Sequence, residues 1–568
     1  MTQHLHPDSD HQRIWLGPFL IAVVTLIAIL LTLDPSTSWP RGFEGPGITL
    51  DESFNVQMGA FYVQALSAYG GFIFDPEIAR EVFTTDGYNP DHPPLGRIWL
   101  GIFQELAAKS LPATGLTGAF ITLLARTGSA VAFALTVFVI GLFTSKHFGR
   151  RAGMIAALAL VCMPRLFGHA HLASLETVLN LMWTLAVLGI AQTWPKPVTQ
   201  SHASHLSDQP SNLSDVASAT PTALAAVLTG VLLGLVALTK IQFVLLPPVV
   251  IVWALWFWRA KAVRPIAIWG TTGFAVFWLG WPWLWLKIPD NLLAFLGRST
   301  DRVALKCYYF GTIYADRDVP WHYPWVMFLA TLPLALVLLG AWGFVSQRKQ
   351  LLTDPRIALL VLTMLAPLCL FSTSVAVYDG ERLFLPSFIS WAIFAGIGGT
   401  RLYELLHAHV RRPAIGLAAA LLMMLSGLFS VGPYWLSYYG GLVGGLRGAS
   451  SLGLEINYWG DSFSRSMWER VAAHVPDHEA IAVAPVLHQF HLREIVNQNI
   501  PVQQHGWRIE PFDPRFARAL FLLTYERRAD RQTDAELRAV GFQPIEHIQR
   551  QGVPLGTLWK REKVILVK

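Results

Sequence analysis

The chain has 568 residues, 53% of them hydrophobic and 14% charged, against about 45–50% and about 25% in an ordinary soluble domain. That balance excludes a disordered or collagen-like chain and argues against soluble domains in series, because 22 Trp and 33 Phe add apolar bulk that a water-facing surface would not hide. The formal net charge is +6, and Cys162, Cys307 and Cys369 are too few and too scattered for a disulfide framework or a cysteine zinc site.

From Trp15 to Leu33 no charged residue occurs, enough for a helix to cross about 30 Å of hydrocarbon. No small-residue cleavage site follows, so this stretch reads as a retained first span. Further apolar stretches run near Thr127–Phe143, Ala152–Phe167, Thr177–Trp194, Thr222–Thr239, Ile241–Trp258, Ile266–Leu286, Trp325–Val345, Ile357–Phe371, Leu383–Ile397 and Ala414–Val431. The expected fold is a polytopic α-helical membrane protein with about eleven transmembrane helices over residues 1–432.

Basic residues then set the orientation, since Lys and Arg concentrate in cytoplasmic loops. Lys146, Arg150 and Arg151 share one loop, Arg259, Lys261 and Arg264 another, Arg348, Lys349 and Arg356 a third, and Arg401, Arg411 and Arg412 a fourth. All fall on one face of an eleven-span count, which makes the amino terminus cytoplasmic in a cytoplasmic (inner) membrane. Residues 195–221, rich in Ser, Asp and Asn, read as a flexible cytoplasmic linker. Three segments lie on the outer face: a first loop over 34–126, a loop from Lys287 to Pro324, and the tail 433–568. The tail mixes charges of both signs with runs such as Ala519-Leu520-Phe521-Leu522-Leu523, as expected of a small extracytoplasmic α/β or α+β domain. The net positive charge therefore records orientation, and no nucleic-acid partner is implied.

Within the first outer loop, Leu50-Asp51-Glu52 opens a stretch to Tyr69 whose apolar spacing suits an amphipathic helix along the interface. An Asp-Glu pair there reads equally as a helix cap with a first-turn acid. Later comes Asn89-Pro90-Asp91-His92-Pro93-Pro94-Leu95-Gly96-Arg97, a rigid extended turn before Ile98. The short outer turns carry few cations, Arg165, Lys240 and Arg382, each alone where the inner loops hold clusters. A lone cation on the disfavoured side is either a snorkelling side chain or a phosphate ligand. Trp281, Trp283 and Trp285 read as an interfacial aromatic belt, and Asp316-Arg317-Asp318 as a solvated loop.

Taken in order on one face of a many-span chain, these motifs resemble the GT-C glycosyltransferases, specifically the protein O-mannosyltransferase and aminoarabinose lipid A transferase superfamily. The matching residues are Leu50-Asp51-Glu52, Asp91-His92-Pro93-Pro94-Leu95-Gly96-Arg97, Arg126, and Pro164-Arg165-Leu166-Phe167-Gly168-His169-Ala170-His171 with Glu176 following. Pro320-Trp321-His322-Tyr323-Pro324, Tyr378-Asp379-Gly380-Glu381-Arg382, Leu436-Ser437-Tyr438-Tyr439 and Tyr458-Trp459-Gly460-Asp461 complete the set, so the likeness runs from the first span to about Asp461. Glu176 stands where relatives often carry Asp, and Arg97 where mannosyltransferases tend to carry Lys, a change that alters the geometry of ligand contacts.

The resemblance implies inverting transfer of a sugar, hexosyl or pentosyl, from a polyprenyl-phosphate donor to a hydroxyl on a protein, lipid or glycan acceptor at the outer face. A lipid phosphate leaves readily, so cations and a single carboxylate base suffice, unlike the paired carboxylates of glycosidases. Asp51 is the expected base with Glu52 beside it. Lys240 and Arg382, then Arg126 and Arg97, are the expected donor-phosphate ligands. Asp91, His92, His169, His171, Glu176, His322 and Tyr323 are the expected substrate-binding residues. His169, His171 and His322 are the set that could form a metal site, but no ligand spacing indicates a divalent metal or other cofactor. A polytopic transporter or flippase is the alternative. Transporters place ionisable groups near the bilayer midplane on broken helices, whereas here the unusual residues gather at span ends.

Overall fold

The computed structural model describes residues 14–33, 43–110, 122–194, 220–297, 304–514 and 519–562. The linker expected over 195–221 lies, but for its last two residues, outside the described residues, as do parts of the first outer loop. Helices dominate up to Val431, and a five-stranded sheet follows in the tail.

Three described helical segments are long and apolar enough to cross a membrane: Thr122–Phe148, Leu175–Thr193 and Ile241–Leu279. A fourth span appears only if Tyr323–Ala330 and Leu334–Ser346, bent by 113° about Pro333, count together. The expectation of about eleven separate spans is therefore corrected. The sequence pattern counted Ile241–Trp258 and Ile266–Leu286 separately, whereas the helical run Ile241–Leu279, 39 residues with a short turn at Arg259–Ala262, takes in the first and most of the second, and Trp283–Leu286 forms a short helix of its own. Leu16–Leu31, Ala223–Ala237 and Pro355–Leu370 are apolar but of 15 or 16 residues. At 1.5 Å per residue, such helices reach only about 24 Å, short of a full hydrocarbon core. Pro386–His409 has 24 residues, and its first fourteen are buried against protein. A helix facing protein can carry Gly and Ser where lipid would require apolar bulk, which lowers its apolarity. Gly343 and Gly398 show how closely this helix meets Leu334–Ser346: a Cβ on Gly343 would lie 1.9 Å from the Phe394 carbonyl oxygen.

The helix expected from Leu50 to Tyr69, named α1 here, spans those residues. It does not lie on the surface. Val56, Met58, Tyr62 and Ala65 are buried, and Gly59 crosses Gly101 of α2 (Pro94–Ser110) so closely that side chains are excluded at both. The aromatic belt is corrected too: Trp281 and Trp283 are buried with Tyr62, Phe83, Tyr88 and Phe277, and Trp281 Nε1 donates to Tyr88 Oη at 2.8 Å. Asp316 is likewise buried, its Oδ2 accepting the Leu305 amide at 3.0 Å, so the acidic triplet is not wholly solvated.

In the tail, the strands are β3 (Ala480–Ala484), β4 (Arg508–Pro511), β5 (Phe521–Tyr525), β6 (Phe542–Arg550) and β7 (Val553–Arg561), following a small hairpin of β1 (Lys306–Tyr309) and β2 (Thr312–Ala315). Their order is β4-β3-β5-β7-β6, with β3 parallel to β4 and β5, and β7 antiparallel to β5 and β6. One hydrophobic core runs from Ile29 and Phe133 through Tyr434 and Trp435 to Ile481, Phe521 and Leu555. The helical region and the sheet are thus packed as one body across residue 432, with no break in the apolar contacts.

Candidate active site

Two neighbouring carboxylates at the start of α1 have different fates. Thr49 caps the helix, and Glu52 Oε2 accepts the Thr49 amide at 2.9 Å and its hydroxyl at 3.1 Å, closing a capping box. Glu52 Oε1 accepts the Ala173 amide at 2.7 Å. Arg126 grips both oxygens, Nε to Oε1 at 2.7 Å and Nη2 to Oε2 at 2.8 Å, and also donates to the carbonyls of Leu33, Pro46 and Gly47 at 2.8–2.9 Å. All five N–H donors of that guanidinium are therefore committed inside the protein. Both side chains are fully buried. This pair ties the first outer loop to the bundle, and Arg126 has no donor left for a phosphate.

Asp51, one residue earlier, points the other way and keeps 28% of its side chain exposed. Its Oδ2 accepts from Arg382 Nη2. Arg382 Nε donates to Glu176 Oε1 at 2.8 Å and Nη1 to Asp379 Oδ2 at 3.1 Å, while Lys240 Nζ bonds the same Glu176 oxygen. The guanidinium lies 4.7 Å from the Trp459 ring centroid. Asp379 Oδ1 receives Arg527 Nη1 at 2.7 Å, and its Oδ2 receives Trp459 Nε1 at 3.2 Å. Three carboxylates and three cations thus meet where chain segments from across the sequence converge.

Each of these groups sits at an element end. Glu176 occupies the first turn of Leu175–Thr193, Lys240 the extended residue after Ala223–Ala237, and Arg382 the turn before Pro386. The Leu95 amide donates to the Leu238 carbonyl at 2.8 Å, fastening the Asp91-His92-Pro93-Pro94 turn beside Lys240. Asp379 and Gly380 both have positive φ, 55° and 67°, a conformation that costs a non-glycine residue energy. Tyr323 Oη supports this turn by donating to the Gly380 carbonyl at 3.2 Å.

Burial lifts the Asp51 carboxyl above its usual range, with Glu176 and Asp379 adding to the rise and Arg382 and Lys240 opposing it. Burial also pushes on Asp379, but Arg527 and Arg382 hold it below the usual range. His92 is driven well below its normal range by burial, then by Arg97, Lys240 and Arg382, which leaves a neutral ring able to accept a hydrogen bond.

The remaining expected residues divide. Arg97 is buried and donates to the Asn89 carbonyl at 2.6 Å, bracing the turn that carries exposed Asp91 and partly buried His92. His169 is buried 3.8 Å from Glu381, which pairs with Arg165. His171 bonds the Thr32 hydroxyl and the Phe167 carbonyl, both at 2.7 Å, and stacks on Trp435, so it anchors the first helix. His322 Nδ1 pairs with Tyr309 Oη at 2.8 Å. The three histidines do not converge, and no cluster of three or more metal-ligating side chains occurs among the described residues. Asp379 and Arg527 were absent from the sequence-derived set. Asp379 sits in the Tyr-Asp-Gly-Glu-Arg motif, three residues before Arg382, and could have been chosen; Arg527 has no local signal.

The helical bundle with a sheet packed after it is the GT-C fold, and three of its described helical segments are long and apolar enough to cross a membrane. The chain is similar to ArnT from Cupriavidus metallidurans, in its apo state and bound to undecaprenyl phosphate, each with 12% identity and a TM-score of 0.50 over 95% of this chain and 97% of that one. The archaeal oligosaccharyltransferase AglB from Archaeoglobus fulgidus matches with 12% identity and a TM-score of 0.47, over 91% of this chain and 70% of that one. No protein-family model and no curated protein sequence matches.

Proposed function

We propose that this protein is a membrane glycosyltransferase that moves a sugar from a polyprenyl-phosphate donor to a hydroxyl acceptor at the extracytoplasmic end of the bundle. The single observation that carries this reading is the meeting of a partly open carboxylate, Asp51, with Arg382 and Lys240 at helix ends of a GT-C fold. Inversion at the sugar, the inner-membrane location and the cytoplasmic amino terminus belong to the same proposal. Thr122–Phe148 supports the orientation, because at about 1.5 Å per residue it sets Arg126, near the site, roughly 30 Å from Lys146 in a basic turn.

In the reaction, the acceptor oxygen forms a bond to the anomeric carbon as its proton passes to Asp51. The bond between that carbon and the phosphate oxygen breaks, and polyprenyl phosphate leaves with the electron pair. Arg382 and Lys240 take up the developing charge, and no proton donor is required. In the structure their charges are answered by Asp51, Glu176 and Asp379. A phosphate entering on Arg382 competes with Asp51, the most exposed of its carboxylates, and releases that oxygen to act as base. In this reading Asp91, His92 and His169 remain the substrate-binding residues, while Arg97 and Tyr323 brace the turns that carry Asp91, His92 and Gly380. Glu52, Arg126, His171 and His322 have structural roles in this reading.

The transporter alternative is disfavoured because the ionisable cluster lies at helix ends and bundle termini. Mass spectrometry of envelope lipids and proteins from cells with the parent gene, without it, and with Asp51→Asn tests the reading. A glycosylated species present only with the parent supports it; identical envelopes in all three overturn it.

A further inference from the structure

Arg527 lies two residues beyond β5 in the carboxy-terminal sheet and is 2% exposed. Its guanidinium leaves the sheet for the helical region. Nη1 donates to Asp379 Oδ1 and to the Tyr458 carbonyl, both at 2.7 Å, and Nε donates to Asp530 Oδ2 at 2.7 Å. Asp530 therefore holds the base of the guanidinium while its tip enters the charge cluster. Asp379 is shared between Arg527 on one oxygen and Arg382 on the other, with Trp459 Nε1 on the second oxygen as well.

The consequence follows from charge. Without Arg527, the Asp379 carboxylate would be a buried charge answered only by Arg382 and one indole N–H. Breaking a buried pair leaves its survivor to find another counter-charge. Among the described residues, the other cation in contact is the guanidinium expected to receive the donor phosphate. We infer that Arg527 is a positioning residue through which the carboxy-terminal sheet region sets the site's affinity for the lipid phosphate, by occupying Asp379 so that Arg382 remains available. The inference rests on the donor assignment proposed above. Arg527 touches neither sugar nor phosphate in this arrangement; it acts through Asp379. The remaining groups around that carboxylate are Asp51, Glu176 and Lys240, which meet it through Arg382.

The test is binding of undecaprenyl phosphate to purified full-length protein in detergent, followed by quenching of tryptophan fluorescence, with thermal unfolding measured on each sample. Arg527→Ala should weaken binding about tenfold. Asp379→Asn should bind at least as tightly as the parent, and R527A/D379N should return to within about threefold of it, because the carboxylate that competes for Arg382 is gone. A residue that only fastens the sheet to the bundle would lower the unfolding temperature in both R527A proteins without such recovery. Arg527→Lys keeps the charge but cannot span Asp379, Tyr458 and Asp530 together, so its affinity should fall between parent and Ala. If R527A does not fold, R527A/D379N and R527K decide: a double variant as weak as Arg382→Ala, or an R527K affinity equal to the parent, overturns the role. A parent that binds no polyprenyl phosphate overturns the donor assignment, and this inference with it. A parent that binds, beside an R527A that binds equally well, overturns only the role of Arg527.

Discussion

Asp51 and Glu52 are adjacent in sequence, yet they belong to two different regions of charge. Glu52 and Arg126 form a knot with every donor of the arginine satisfied and no solvent exposure. Asp51, Arg382, Glu176 and Lys240 form a cluster whose partners are shared among several ions and which opens at Asp51. A saturated pair can hold a fold but has nothing to offer a substrate. A shared and partly open cluster can exchange a carboxylate for a phosphate. Buried ion pairs alone therefore do not identify an active site; the state of their remaining donors and acceptors does.

The two regions should break differently. Asp51→Asn should lower transfer by about 10²–10⁴-fold, the usual contribution of a general base, while leaving the unfolding temperature near that of the parent. Arg126→Ala should instead remove about 3–5 kcal/mol of stability by stranding Glu52, and activity should fall only in step with the folded fraction. Detergent-resistant folding and rate per folded molecule separate these outcomes. Arg382→Ala should weaken polyprenyl-phosphate binding by roughly 10- to 100-fold, the worth of a charge-assisted hydrogen bond or two, as read by fluorescence titration.

The pH dependence sharpens the contrast. Asp51 must be ionised to act as base, and burial raises its pKa, so transfer should be lost on acidification at a higher pH than an ordinary carboxylate would give. Asp379→Asn removes a like charge and should move that acid limb to lower pH. A smaller effect concerns Asp461, buried near Arg126, whose pKa is lifted to about 7, chiefly by burial. The folded state keeps a proton that the unfolded state loses near pH 4, so stability should drain away as pH rises from about 4 to about 7. Asp461→Asn should flatten that part of the curve in thermal unfolding measured across pH.

Much of this was legible in the sequence where the signal is local. The run from Leu50 to Tyr69 read as a helix, and the lone cations Lys240 and Arg382 stood out because they break the inside bias of the basic residues. The span count was less legible. Hydropathy records apolar stretches, but helices buried against other helices, such as Pro386–His409, need no lipid-facing surface, and a bend at Pro333 divides one apolar run in two. The partition of Asp51 from Glu52 could not be read either, since a helix start offers both residues equally and only tertiary contacts with Arg126 and Arg382 separate them. Arg527 was invisible for the same reason: its partner Asp379 lies 148 residues away.

The central claim is that Asp51 performs the chemistry while Glu52 holds the fold. Its most direct test is the transfer rate per folded molecule for Asp51→Asn beside Glu52→Gln, at equal occupancy by donor. The account predicts that Glu52→Gln is less stable but transfers within about threefold of the parent, while Asp51→Asn is stable and loses at least about 10²-fold. Transfer at the parent rate by the Asp51 variant, or its selective loss in the Glu52 variant, would contradict it.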